Sequence, residues 1–392
     1  MMKRKGRTRK RKIPPVLLLI VAPASLLGII LLILYFVFSL SSTGILPPLY
    51  EEIYSSSHGL NERIIKVDYA IYESLYKSGI QKNNVFFLSV QPRHQNGYVW
   101  DFAELLVKCP DNSAVVALPE IIGRDLTALG EEVKLNKEKG PDNKIVCHVY
   151  INDFKTHSIV LSADDHLSAS GDARPKIAII VDDLGYASDT DLSFFQLDLP
   201  LSYSVLPYGP FTGAVVKKAN KEGHELILHL PMEPKNYPSV KPGPGGLFLS
   251  MDASEIRKVL DRNLRRVSGV HGVNNHMGSS FTENREKMLV VLNELKKRGL
   301  FFVDSRTTKH TVALDLARSI GLPAARRRVF LDNNLEPKAL NIQMERLLSM
   351  ARHRGEAIGI CHPYKETYQL LKRYRLKMKN EFQIVPVSDL VS

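Results

Sequence analysis

Residues 176–185 read KIAIIVDDLG. The core of this stretch, Ile177–Val181, is an unbroken apolar run rich in β-branched residues, and it stops at two aspartates and a glycine. A run of that length bounded by turn residues predicts a strand buried on both faces, as in a parallel sheet. The same construction recurs at Ser202–Leu206, Leu226–Leu230, Val270–Asn274, Leu300–Val303, Val329–Leu331 and Ala357–Cys361. Helical patterns separate these runs. Asp252-Ala-Ser-Glu255 has the form of a capping box, and Ile256, Val259, Leu260 and Leu264 follow at helical spacing. Asn284–Arg298 sets Met288, Leu289, Leu292 and Leu295 on one face, and Pro337–Arg354 and Tyr364–Tyr374 behave alike. Seven strand–helix alternations predict an α/β fold over residues 176–392, with a parallel sheet curled into a barrel.

Upstream the pattern differs. Residues 163–175 (ADDHLSASGDARP) are small, polar and end in proline, which marks a linker. Residues 61–162 predict a small α+β domain. Its first helix, Glu62–Lys77, carries Ile64, Ile65, Tyr69, Tyr72 and Tyr76 near one face. Extended runs follow at Val85–Val90, Tyr98–Lys108, Ile145–Ile151 and Ser158–Leu161, with a helix near Pro119–Leu129 and a charged loop over Glu131–Lys144. His94, His148 and His157 are scattered through this domain and read as structural.

The chain has 392 residues, 44% hydrophobic and 24% charged, which excludes a disordered, collagen-like or disulfide-scaffold protein. Its three cysteines, Cys109, Cys147 and Cys361, form no CxxC pair; a single Cys109–Cys147 bridge stays open. The formal charge is +12, but eight of those positives are the Lys and Arg between Lys3 and Lys12, so only +4 belongs to the rest. The excess is a tail (residues 1–15), and it abuts an apolar run rather than a nucleic-acid surface. Val16–Phe38 carries no charge. As a helix it would measure about 34 Å, against about 30 Å for a bilayer core. Basic flanks stay cytoplasmic, which predicts a single-pass anchor through the lipid bilayer, a stalk over residues 39–60, and the bulk of the chain outside. A cleaved signal peptide is the second reading, although its apolar core is usually only about 7–15 residues.

In parallel α/β folds reactive groups gather where strands end, because the loops there share one mouth. Here the runs end in Asp182-Asp183, His229 through Glu233, Asn274 through Ser279, Asp304-Ser305-Arg306, Asp332, and His362-Pro363. Each has a bland reading as a helix cap, core histidine or ion pair. Their concentration at strand ends argues for a shared site, with Asp332 set aside as the start of the following helix. One Asp and two His make three ligands for a divalent metal, zinc by preference, with a position left for water. The metal lowers the pKa of that water. The neighbouring Asp can take its proton, and a further His can protonate the leaving group. Gly243-Pro-Gly-Gly246 reads as a loop near the mouth, either a lid or plain surface. Neither a glycine-rich phosphate loop nor the partners of an aspartyl-phosphate site are found.

The stretches IAIIVDDLGY (177–186), GHELILHLPMEP (223–234), GVNNHMGSSFT (272–282), FFVDSRTT (301–308) and GICHPY (359–364) resemble the divergent branch of the polysaccharide deacetylase superfamily. The resemblance implies a distorted (β/α)7 barrel, preceded here by the anchor and the small α+β domain. It also implies that the first Asp of the pair is the base and the second a metal ligand, which fall on Asp182 and Asp183. The family's second motif, H-[ST]-x-x-H, is replaced by His224-Glu-Leu-Ile-Leu-His229. In an extended segment that spacing points the two rings to opposite faces. His229 and His276 are therefore the preferred ligand pair, with His224 a second choice and Glu233 a further candidate. NNHMGS stands where an Arg-containing third motif is usual. His362 matches the last motif, as general acid, and Asp304 and Arg306 complete the catalytic candidates.

The residues alone predict metal-dependent hydrolysis of an amide or ester, and the resemblance implies that the reaction removes acetyl groups from an envelope glycan. The competing reading is an inactive barrel of the same fold that binds glycan or a protein partner.

Overall fold

The computed structural model describes residues 58–163 and 174–392. The expected tail, anchor, nearly all of the stalk and most of the linker lie outside the described residues. Among those described, no helix is long and apolar enough to cross a membrane.

The first region runs α1 (His58–Lys77), β1 (Val85–Gln95), β2 (Tyr98–Lys108), α2 (Asn112–Thr127), β3 (Val133–Lys139), β4 (Ile145–Ile151) and β5 (Phe154–Ser162). Its sheet has the order β1-β2-β5-β4-β3. Only β2 and β5 pair in parallel. Two expectations change here. The charged stretch 131–144 contains β3, whose VKLNKEK sequence buries only Val133 fully. It is an edge strand, and edge strands carry charge because one side faces water. The inward face of α1 is Ile64, Val67, Ile71 and Leu75; Tyr69 and Tyr76 lie exposed on another face. Cys109 and Cys147 are buried free thiols.

The second region begins with β6 (Lys176–Leu184), α3 (Ser188–Ser193), β7 (Ser202–Val205), α4 (Thr212–Glu222) and β8 (Glu225–Met232). It continues with α5 (Ala253–Arg266), β9 (Gly272–Met277), α6 (Arg285–Lys297), β10 (Phe301–Asp304) and α7 (Ala313–Ser319). The last elements are β11 (Ala324–Arg326), β12 (Val329–Phe330), α8 (Pro337–Arg354), β13 (Glu356–Cys361), α9 (Lys365–Glu381) and β14 (Gln383–Ile384). The strands form one parallel sheet in the order β11-β10-β9-β8-β7-β6-β13-β12, with β14 added beside the start of β6. Its two end strands, β11 and β12, are successive pieces of one stretch of chain. The first pairs with β10 and the second with β13.

Burial explains why the apolar runs are unbroken. Every residue of β7, β8, β9 and β10 is buried, as is all of β6 after Lys176. Helices cover the outer face, and α5 begins with the expected capping box, in which Asp252 and Glu255 exchange hydrogen bonds of 2.8 Å. Because all strands run the same way, their C-terminal ends collect on one rim.

Candidate metal centre and active site

Two adjacent aspartates in a regular strand would point to opposite faces. The pairing of β6 with β7 shifts register between Val181 and Leu184, and Asp183 takes the left-handed backbone conformation at φ +59°. Bulges re-aim side chains in this way. The result is that both carboxylates reach one imidazole: Asp183 Oδ1 is 3.0 Å and Asp182 Oδ2 3.8 Å from His229 Nε2. His276, near the end of β9, brings Nδ1 to 2.9 Å from Asp183 Oδ1 and 3.2 Å from His229 Nε2. Met277 follows at φ +53° and Gly278 at φ +90°, so β9 also turns sharply at the site.

Asp183, His229 and His276 form a buried group whose ligand atoms all lie within 4.8 Å of one another. The sides of their triangle, 2.9, 3.0 and 3.2 Å, are close to the roughly 3.3 Å edge of a tetrahedron with metal–ligand bonds of about 2.0–2.1 Å. Both oxygens of Asp183 are buried without a well-directed hydrogen bond. Burial opposes the charge of this carboxylate, but His276 and His229 hold it ionised and well below the usual range. A buried, ionised carboxylate lacking directed donors beside two converging ring nitrogens fits a divalent cation.

The surrounding side chains fix the donors. Asn274 Oδ1 lies 2.8 Å from His229 Nδ1 and accepts from Ser204 Oγ at 2.7 Å. With Nδ1–H donating to that amide oxygen, the lone pair of Nε2 faces the centre. The same amide donates from Nδ2 to Asp182 Oδ1 and Oδ2 at 2.8 and 3.1 Å, which ties Asp182 and His229 into one network. Opposite stands His362. Its Nδ1 lies 2.9 Å from Asp332 Oδ1, while Asp332 Oδ2 accepts from the His362 backbone N–H and Thr367 Oγ1, both at 2.7 Å. Burial disfavours the imidazolium, yet the Asp332 carboxylate, helped by the charges of Asp183 and Asp182, raises its pKa to about 9. A cavity of about 30 Å³ joins Asp182, His229, His276 and His362, with Arg327 and Phe330 in its wall.

Other expected residues lie elsewhere. His224 immediately precedes β8, five residues before His229 in the middle of that strand, and packs edge-on against Phe195 and Tyr203. Glu233 Oε2 accepts from Leu249 N–H at 2.7 Å and so anchors the loop after β8. That loop is tied again where Asn263 donates to Gly245 O. Asp304 and Arg306 form no side-chain pair; the Asp304 oxygens accept from the Arg306 backbone N–H and Thr311 Oγ1, both at 2.9 Å. They shape the turn after β10, and Arg327, not Arg306, faces the cavity. Asp332 is the converse case: it leaves the helix start to Glu336 and Pro337 and orients His362 instead. Asn274 was likewise legible only as a strand residue.

The divergent polysaccharide deacetylase family model matches residues 179–391. An uncharacterized Haemophilus influenzae protein is 32% identical over 218 residues, covering 56% of this chain and 77% of that relative. The uncharacterized Escherichia coli protein YibQ is 31% identical over 217 residues, covering 55% and 67%. Among solved structures, an uncharacterized Agrobacterium tumefaciens protein superposes with a TM-score of 0.54 at 26% identity, over 58% of this chain and 94% of that one. On the extent of the family match and the identity to these relatives, the chain belongs to the divergent polysaccharide deacetylase family.

Proposed function

We propose that this protein is an envelope-facing hydrolase that removes acetyl groups from a glycan, with a divalent cation, zinc by preference, held by Asp183, His229 and His276. The observation that carries the reading is the convergence of these three buried side chains beside a second carboxylate. When bound, the cation supplies a Lewis acid and a water of lowered pKa. Asp182, held by Asn274 at the edge of the cluster, is placed to accept a proton. His362, kept protonated by Asp332, is placed to return one to the departing amine or hydroxyl. The cavity has room for only about two waters, so a sugar ring would lie outside it, across the rim. The (β/α)7 reading of the sheet, with one strand split between β11 and β12, supports the same assignment. Residues 16–38 would anchor the protein in the inner membrane, with the domains facing the envelope.

Metal analysis of the dialysed full chain, with acetate release from acetylated glycan, tests the proposal. The expected result is one equivalent of zinc and measurable release, with Asp183→Asn and His276→Ala losing both while keeping the native circular dichroism. Stoichiometric metal without release from any acetylated sugar would point to another amide or ester. Absence of retained metal would favour an inactive, glycan-binding barrel.

A further inference from the structure

Helix α1 carries two stripes. One is buried in the core; the other, Tyr69, Tyr72 and Tyr76, lines a groove of about 690 Å³ whose other walls are α8 and α9. Tyr69 and Tyr76 are 38% and 39% exposed. The rings of Tyr72 and Tyr76 stack with centroids 6.4 Å apart. At 1.5 Å rise per residue the three tyrosines step along the helix by about 4.5 and 6 Å. A single exposed tyrosine needs no explanation, but two exposed tyrosines flanking a half-buried third along a groove of ligand size do.

The rim of the groove is cationic. Lys338 Nζ sits 4.4 Å from the centre of the Tyr69 ring, and Lys82 Nζ 5.5 Å from that of Tyr76. Glu345 is shared by Lys377 at 3.0 Å and Lys82 at 3.7 Å, and Glu73 is taken by Lys77 at 3.1 Å. Among the described residues, Lys338 and Arg373 have no carboxylate within salt-bridge distance; Arg373 donates only to Asn341 Oδ1 at 3.1 Å. An apolar peptide would cover the rings and leave these cations desolvated. A small free anion would meet the cations and leave the rings bare. A strand of pyranose rings bearing carboxylates satisfies both, with C–H faces on tyrosine faces and acid groups at Lys338 and Arg373.

We propose that this groove is a second, non-catalytic binding site that takes an acidic glycan strand and holds it beside the rim of the sheet. The choice of a glycan over other polyanions rests on the hydrolase reading above. The site and the groove are joined by little chain: α8 begins at Pro337, just after Asp332, and Lys338 lies in its first turn.

Calorimetric titration of the full chain in detergent with short oligomers of galacturonic acid and, separately, of N-acetylglucosamine tests this. The acidic oligomer should bind about tenfold more tightly than the neutral one, less so as salt rises. Tyr69→Ala and Lys338→Gln should each weaken it by about 3- to 10-fold with unchanged thermal melting, since both side chains are exposed. Asp183→Asn should leave it unchanged. Equal affinity for both oligomers, indifference to the groove variants, or loss of binding in Asp183→Asn would each overturn the proposal. So would binding of phosphatidylglycerol vesicles, but not the oligomer, through Tyr69. Groove binding without acetate release would sink the catalytic reading alone, and acetate release without groove binding would sink this one.

Discussion

At the scale of single residues, the donors of the site are set by partners that do not touch the centre. Asn274 selects the tautomer of His229 by accepting at Nδ1. Asn274→Leu removes that acceptor and leaves Asp182 without its amide donor, so zinc affinity should fall by about 10- to 100-fold while the fold persists. A competition titration with a chromophoric chelator reads this directly; unchanged affinity would mean that the network does not orient the ring. Asp332 acts on His362 through charge. With its pKa raised to about 9, His362 is a proton donor at neutral pH and loses that capacity as pH rises through 9. Asp332→Asn removes the largest of the stabilising charges and leaves the smaller contributions of Asp183 and Asp182. If the ring then returns to its ordinary value near 6.5, its protonated fraction at pH 8 drops by about 30-fold. Acetate release should follow, with the alkaline limb of the pH–rate profile moving towards neutrality and the acid limb staying in place. A limb that does not move would remove His362 from the role of acid.

At the scale of elements, the rim depends on close backbone approach. Gly185 follows the aspartate pair at φ +111°, with its N–H held by Asp191 Oδ2 at 2.7 Å. The backbone of Gly209, in the loop after β7, lies against it so closely that a Cβ at 209 would overlap the Gly185 carbonyl. Gly209→Ala should therefore shift the Asp183 turn, costing about 1–3 kcal/mol in a melt and weakening metal retention as well. A loss of stability with metal affinity intact would show that the turn moves independently of its ligands. The elements that could be read from sequence were those with a strong period. KIAIIVDDLG and its six relatives are mostly buried on both faces, the exceptions being run ends such as Val270 and His271 and the cavity-lining Phe330, and their runs coincide with β6–β10, β12 and β13 within a few residues. What escaped has physical reasons. β11 and β14 are too short to show a period, and β3 is charged because it is an edge. The convergence of Asp183, His229 and His276 could be proposed from strand ends, whereas the Asp332–His362 contact joins residues thirty apart through a pairing of neighbouring strands that no local pattern shows. Tyr69 and Tyr76 misled because a helix can carry two apolar stripes of the same period.

At the scale of the molecule, the two sheets are fastened by α8. Ser349 Oγ donates to Val85 O at 2.9 Å and accepts from Phe87 N–H at 2.8 Å, and Arg354 donates to Leu88 O. Deeper in the joint, Asp68 of α1 accepts from Arg346 Nη2 at 2.5 Å and meets His157 Nε2 of β5 at 3.0 Å. All three side chains are buried. Such a group adds little over a well-packed apolar substitute, but losing one member strands the others. Asp68→Asn leaves the Arg346 charge uncompensated and should cost about 3–5 kcal/mol at neutral pH. The pH dependence has a definite sign. Burial works against the Asp68 carboxylate, but Arg346 and His157 hold its pKa below the ordinary value near 3.8. A depressed carboxylate pKa contributes stability that is full above the unfolded value and is lost as pH falls through the folded one. The native protein should therefore lose melting temperature steeply once the pH drops below about 4. Asp68→Asn should start lower and fall less, so that the gap between the two narrows with acid. Parallel melting curves for the two proteins across that window would show that the joint is held by packing around α8 alone, with the buried charges as passengers.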